Sequence, residues 1–420
     1  MKAMQNRERE SAGQHQGDAM KKGFPTKPLQ SLCDDFKQDI VDGPFGSELK
    51  REDYITEGIP VLKIQNVKPF AIELKKMDYV SVEKFHELRR HSFRRGDIVM
   101  TKLGSPLGVS AIVEDVEEGV IVADLVRVRA QQINTKYLCY HLNSQRTNDF
   151  INSMQKGTTR PRVTLSVVRE LPIYSPPLAE QQRIVGLLDE AFEGLATAKA
   201  NAEKNLQNAR ALFESHLQSV FTQRGPGWVE TTLGEAYDVR DGTHESPKYH
   251  ATGYPLITSK NLKREGLSFD NVRLISEQDY TKINERSAVH KGDVLFAMIG
   301  TIGNPTLVEV EPNFTIKNVA LFKNPKGQSG SFLKHYLDSG MVISKMMKEA
   351  KGTTQKFVGL GYLRGFPINL PPLATQLKLV EELDELAVET QRLARLYERK
   401  LAALHALKKS LLHQAFSGEM

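Results

Sequence analysis

The sequence predicts a mixed α/β (α+β) fold: two modules in tandem, pseudo-twofold repeat, separated by two long helices that pair as an antiparallel coiled coil. Three observations lead there. "PPLAEQQRIVGLLDE" from Pro176 returns as "PPLATQLKLVEELDE" from Pro371. Before each phrase, short β-branched runs such as "VSAIVEDVEEGVIVADLVRVRA", broken by Gly and Pro, read as strands and loops with some helix. After each phrase proline disappears, and apolar residues recur at helical spacing over about 45 residues.

Along the chain, residues 1–25 are polar, lack the apolar centre of a signal peptide and are expected to be a disordered leader. The first module covers 26–175 and the first helical region 176–224; the second module covers 225–370 and the second helical region 371–420. The repeat carries this division. "KGTTRPRV" from Lys156 faces "KGTTQKFV" from Lys351, and "ALFESHLQSVF" from Ala211 faces "ALKKSLLHQAF" from Ala406, both 195 residues apart. Upstream the match weakens but keeps its order: "RRGDIVMTKLGSPLG" from Arg94 faces "HKGDVLFAMIGTIG" from His290. Near the start, "DGPFGSELKREDYITEGIP" from Asp42 is four residues longer than "DGTHESPKYHATGYP" from Asp241.

In the first helical region Val185, Leu188, Phe192, Leu195, Ala202, Leu206, Ala209, Phe213 and Val220 follow a three-four repeat, with Lys199 and His216 as interruptions. The second offers Val380, Leu383, Ala387, Thr390, Ala394, Tyr397, Leu401, Leu404, Leu411 and Ala415, interrupted by Lys408. Each helix would span roughly 65–70 Å, and a stripe of that length needs a partner. The simplest is the other helix, laid antiparallel with the modules at opposite ends.

With 420 residues, 40% of them hydrophobic, the chain is long enough to bury more than one core. Cys33 and Cys139 are the only cysteines, which excludes a disulfide framework and points to core fillers in a reducing, cytoplasmic compartment. A net charge of +6 admits a polyanionic partner without requiring one. No apolar stretch is long enough for a membrane span.

Catalytic signatures are missing. The chain has no phosphate loop, no dinucleotide fingerprint, no HExxH or CxxC metal pattern and no nucleophile elbow, so no catalytic, cofactor or metal residues are assigned. "LGSPLG" from Leu103, "IGTIGN" from Ile299, and the pairs Gly96-Asp97 and Gly292-Asp293 read as tight turns.

Taken together, two variable modules, each followed by a P-I-x-x-P-P-L-A-x-Q segment and a long helix, with KGTT shortly before and "DGTHESP" opening the second module, resemble the specificity subunit of type I restriction-modification systems. That resemblance implies a non-catalytic reader of double-stranded DNA. Its modules would be target-recognition domains, each reading half of a bipartite, asymmetric sequence. Its helices would set the gap and bind two methyltransferase (M) subunits, adenine-N6 enzymes using S-adenosylmethionine, with ATP- and Mg-dependent restriction (R) subunits completing a phage-defence assembly. Thr375 where the first copy has Glu180, and Leu377 for Gln182, are departures at the second helix.

Loops that combine amide or hydroxyl groups with positive charge are the candidate DNA-binding segments. First come Lys156, Thr158, Thr159, Arg160 and Arg162, with Lys351, Thr353, Thr354, Gln355 and Lys356 in the second copy. Next are Lys63, Gln65, Asn66 and Lys68 with Ser259, Lys260, Asn261 and Lys263, and then Lys102, Ser105, Arg240, Thr243 and His244. For any one of them a solvated charge or a cap is the competing reading. For the whole chain, the competing reading is a coiled-coil scaffold whose modules bind protein.

Overall fold

The computed structural model describes residues 25–157, 159–223, 225–263 and 265–417; the expected leader, apart from Pro25, lies outside them. The chain forms two compact units, one running to Asn201 and resuming at Leu401, the other Ala202–Lys400. Two 45-residue helices, α1 (Leu178–Thr222) and α2 (Leu373–Ser417), are divided between them.

Each module is built to one plan. In the first, the main sheet runs Ile40–Asp42, Leu125–Val128, Ile98–Thr101, Ser110–Ile112, all antiparallel. A second sheet runs Asp78–Val80, Ile59–Leu62, Glu118–Ile121, Ser92–Arg94, with the middle pair parallel. Thr26–Pro28 pairs with Pro172–Tyr174, so the module's first strand meets the strand just before the proline pair.

The second module repeats this with Asp238–Asp241, Val319–Lys323, Val294–Ala297, Gly303–Leu307 as main sheet. Its second sheet has three strands, Arg273–Ile275, Tyr254–Ile257 and Thr315–Ile316, the last two parallel, and Val229–Thr232 with Pro367–Leu370 closes the module. The Gly-Asp pairs are turns, as expected. Gly96 and Gly292 hold φ of +88° and +89°, while Asp97 meets Arg129 at 2.6 Å and Asp293 meets Lys323 at 2.9 Å.

Head meets tail wherever the helices pack. In the first unit Ile184 and Leu188 of α1 bury with Leu412, Ala415 and Phe416 of α2. In the second, Leu217, Val220 and Phe221 of α1 bury with Leu383 of α2. The pairing is therefore antiparallel in both units, and every residue of the expected seam is buried or half-buried. At His216, however, the buried position is Leu217, and Lys199 is exposed. A straight helix drifts about 20° per heptad against a strict seven-residue repeat, so the seam steps sideways. Near the modules it also widens, because each helix there covers a module as well as its partner. Lys408 is half-buried, its ammonium 4.8 Å from the Phe70 ring centre and 4.5 Å from that of Phe192, and burial lowers its pKa, aided by Lys199.

The repeated phrase has a local cause. Gln181 is 3% exposed; its Oε1 accepts the Asn134 N–H (2.8 Å) and its Nε2 donates to the Pro176 carbonyl (2.7 Å). Gln376, 0% exposed, accepts the Ser329 N–H (3.0 Å) and donates to the Pro371 carbonyl (2.9 Å). Asn134 and Ser329 cap the helices Thr135–Leu142 and Gly330–Asp338, so in each copy the glutamine ties a long helix to a module helix. Two turns on, Asp189 accepts from Tyr140 Oη (2.5 Å) and Lys136 Nζ (2.7 Å), and Asp384 bonds His335 Nε2 (2.7 Å).

Cys33 and Cys139 are core fillers, and burial pushes both thiols up to about 12. His141 is wholly buried: its Nε2 accepts the Tyr174 N–H (3.0 Å), and its Nδ1 faces Thr147 Oγ1 (3.1 Å).

Replacing Gln181 or Gln376 with alanine orphans a buried cap N–H and is expected to lower unfolding free energy by about 1–3 kcal/mol. The exposed Gln182→Ala serves as control, within about 0.5 kcal/mol of wild type; equal urea midpoints for all three would refute the anchoring role. A second expectation concerns pH. Burial, seconded by Arg146, pushes His141 down to about 3. Between that value and the ordinary imidazole value of about 6.5 the unfolded chain binds the extra proton. This contribution is complete above the ordinary value and is lost as pH falls through the window, by about 1.4 kcal/mol per unit. Urea titrations from pH 7 to 5 check it, and His141→Gln should flatten that part of the slope.

Candidate nucleic-acid interface

Two loops leave each main sheet at the same end. Ile40–Asp42 and Ile98–Thr101 flank Leu125–Val128 and both run antiparallel to it, so their C-terminal ends, opposite Val126 and Leu125, lie side by side. The same holds for Asp241 and Ala297, opposite Ala320 and Val319. Loops from the Asp-Gly pairs and from the glycine segments therefore start together.

The KGTT segment is a hairpin clipped onto the glycine loop. Lys156 and Arg162 exchange backbone hydrogen bonds of 2.9 and 3.0 Å, the Gly104 N–H donates to the Pro161 carbonyl (2.9 Å), and the Val163 N–H to the Lys102 carbonyl (3.0 Å). In the second copy Lys351 and Phe357 exchange bonds of 3.0 and 2.9 Å, and the Gly300 N–H donates to the Lys356 carbonyl (2.8 Å). Only glycine suits the hairpin corner: Gly352 holds φ of +96°, and a Cβ there would lie 2.2 Å from the Gln355 carbonyl oxygen.

The second sheet delivers a third loop to this rim. A Cβ on Gly43 would lie 2.1 Å from the Val122 carbonyl carbon, and the Val122 N–H donates to Leu62 (3.1 Å), just before Lys63. Correspondingly, a Cβ on Gly242 would lie 2.2 Å from the Ile316 carbonyl oxygen, and the next residue, Lys317, donates its N–H to Ile257 (2.8 Å).

The candidate residues divide by environment. Lys156, Thr159, Arg160 and Arg162 are exposed, as are Lys351, Thr353, Thr354, Gln355 and Lys356; Thr158 lies outside the described residues. Among the described residues no carboxylate stands within ion-pair distance of Lys156, Arg160, Arg162, Lys351 or Lys356, whereas other candidates have internal partners. Lys102 meets Asp42 at 2.5 Å, Lys68 meets Glu73 at 3.6 Å, Arg240 meets Asp238 at 2.6 Å, and Lys63 pairs with Asp78 while standing 4.2 Å from the Tyr54 ring centre.

Asn66 and Asn261 are buried turn-holders. Asn66 Oδ1 accepts the Lys63 N–H (3.0 Å) and its Nδ2 donates to Glu73 (2.9 Å); Asn261 does the same for Thr258 (3.0 Å) and Ser268 (3.1 Å). Thr243 Oγ1 accepts the Glu245 N–H (3.2 Å), and the His244 ring lies between Asp241 and Asn318, 2.8 Å from each. Gln65, Ser105, Lys260 and Lys263 are exposed and Ser259 is half-buried. Absent from the sequence-derived candidates is Phe45, 62% exposed, whose ring centre is 5.5 Å from Lys102 Nζ. Its only sequence signal is the Gly-Pro-Phe-Gly run in the longer first-copy loop. Among the described residues no cluster of three His, Cys, Asp or Glu is placed to hold a metal ion, and no helix is long and apolar enough to cross a membrane.

Comparison with known proteins agrees with this architecture. Residues 96–206 and 226–398 match the type I restriction modification DNA specificity domain, more than half of the chain. The type I restriction enzyme EcoBI specificity subunit of Escherichia coli is 22% identical over 64% of this chain, and the match spans 63% of that relative, a little under two thirds of its length. The MjaVIII specificity subunit of Methanocaldococcus jannaschii is 23% identical over 72% of this chain and 75% of its own length. In fold, the chain is similar to the HsdS subunit from Thermoanaerobacter tengcongensis, with a TM-score of 0.62, 19% identity and coverage of 96% and 99%. It is also similar to a chain from a structure of complex assembly and conformational transition of the type I R-M system, with a TM-score of 0.74, 19% identity and coverage of 96% and 100%. A doubled module, each copy tied through a buried glutamine to a long helix, together with a match over both copies, places this chain in the family of type I restriction-modification DNA specificity subunits.

Proposed function

We propose that this chain is the sequence reader of a type I restriction-modification assembly, each module recognising one half of a bipartite, asymmetric DNA target. The observation that carries this reading is the pair of exposed KGTT hairpins, whose basic residues meet no carboxylate among the described residues while neighbouring cations do. Cations left without partners are the groups that displace counterions from a phosphate backbone. The two long helices set the gap between half-sites and bind two M subunits. Chemistry requiring S-adenosylmethionine, ATP and Mg belongs to the partner subunits, with R subunits added for cleavage, and the assembly works in the cytoplasm.

Selection of random duplexes by the assembled complex tests the reading: enrichment of a split motif is expected, and no enrichment would favour a protein-binding scaffold. Replacing Lys351, Thr353 and Thr354 with alanine should weaken cognate binding, leave assembly intact and lower the slope of log affinity against log salt by about 1. Inserting seven residues into both helices lengthens them by about 10 Å, roughly three base pairs of rise. The selected motif should then widen its gap, and an unchanged gap would remove the spacing role.

A further inference from the structure

We infer that Phe45 is an apolar wedge by which the first module enters a base step of its half-site; this rests on the DNA-reading function proposed above. The Phe45 side chain, three residues beyond the strand that ends at Asp42, is 62% exposed at the loop end of the main sheet. The turn is braced at both ends. Gly43 is packed so tightly on Val122 that no side chain fits, and the Glu48 carboxylate accepts the Phe45 N–H (3.1 Å) while the Glu48 N–H donates to the Phe45 carbonyl (2.8 Å). The ring is thus presented on a firm corner.

Lys102 beside the ring is charge-paired with Asp42, so the unpaired positive charge near it comes from the hairpin. Lys102 Nζ lies 5.5 Å from the ring centre, and the Lys102 carbonyl accepts from Val163, where the hairpin bearing Lys156, Arg160 and Arg162 ends. Phosphate contacts from that hairpin would hold the duplex against the rim, and an apolar ring beside them can unstack a base step at a cost the added contact repays. The contact to Lys102 leaves most of the ring surface free. At the matching position the second module has His244, held by Asp241 and Asn318, and the exposed ring farther along that loop, Tyr249, has the Arg273 guanidinium 4.9 Å from its centre. Wedge insertion is therefore a property of one half-site.

The test uses the assembled complex and the duplex that wild type selects from a random library, with 2-aminopurine placed at successive positions of each half-site. Wild type should raise fluorescence at one step of the first module's half-site, with no counterpart in the other. Phe45→Ala should abolish the rise and weaken binding at least about fivefold, while Phe45→Leu retains both in large part and the melting temperature stays unchanged. Wild-type affinity together with undiminished fluorescence in Phe45→Ala would overturn the wedge while leaving the reading function intact. Failure of wild type to select any duplex would overturn both.

Discussion

A primary amide buried away from water must satisfy both its ends, and Gln181 and Gln376 do so by joining the head of a long helix to a module helix. One end holds the turn that starts the long helix, the other the cap of the module helix. An unpaired cap amide in that environment costs as much as several exposed ion pairs contribute. The module is therefore fixed to the head of its helix, and Asp189 and Asp384 two turns on remove the remaining freedom to rotate.

The rim follows from strand direction. In both modules two strands antiparallel to a shared centre strand must end together, and the loops they release are neighbours whatever their sequence. Glycines at the close approaches hold the loops down, and the KGTT hairpin is clipped across them by backbone hydrogen bonds. Because backbone atoms do the fastening, side chains at the rim are free to differ between copies. Arg160 and Arg162 in one hairpin correspond to Gln355 and Phe357 in the other, and Phe45 corresponds to His244.

Charge is divided with the same economy. The formal net charge of +6 does not locate an interface, since several cations beside the rim meet carboxylates on their own module. What distinguishes the rim is the company its cations keep. Lys102 and Lys63 shape loops through internal pairs, whereas the hairpin cations carry their charge to the surface.

The doubling, the mixed α/β modules and the antiparallel helices were legible in the sequence, because periodicity and self-similarity are local properties. Val380 through Ala415 name their own seam, and two copies of one phrase demand two copies of one joint. Tertiary structure alone decided the rest. Val163 and Lys102 are far apart in the chain and hydrogen-bonded in the fold, and no local pattern states that Asn66 turns inward while Gln65 stays exposed. Whether a polar side chain faces solvent or closes a turn depends on which distant carbonyls and carboxylates the fold brings within hydrogen-bonding reach. The one-residue step of the seam at His216 likewise reflects where the helix meets its module, a contact its own sequence does not describe.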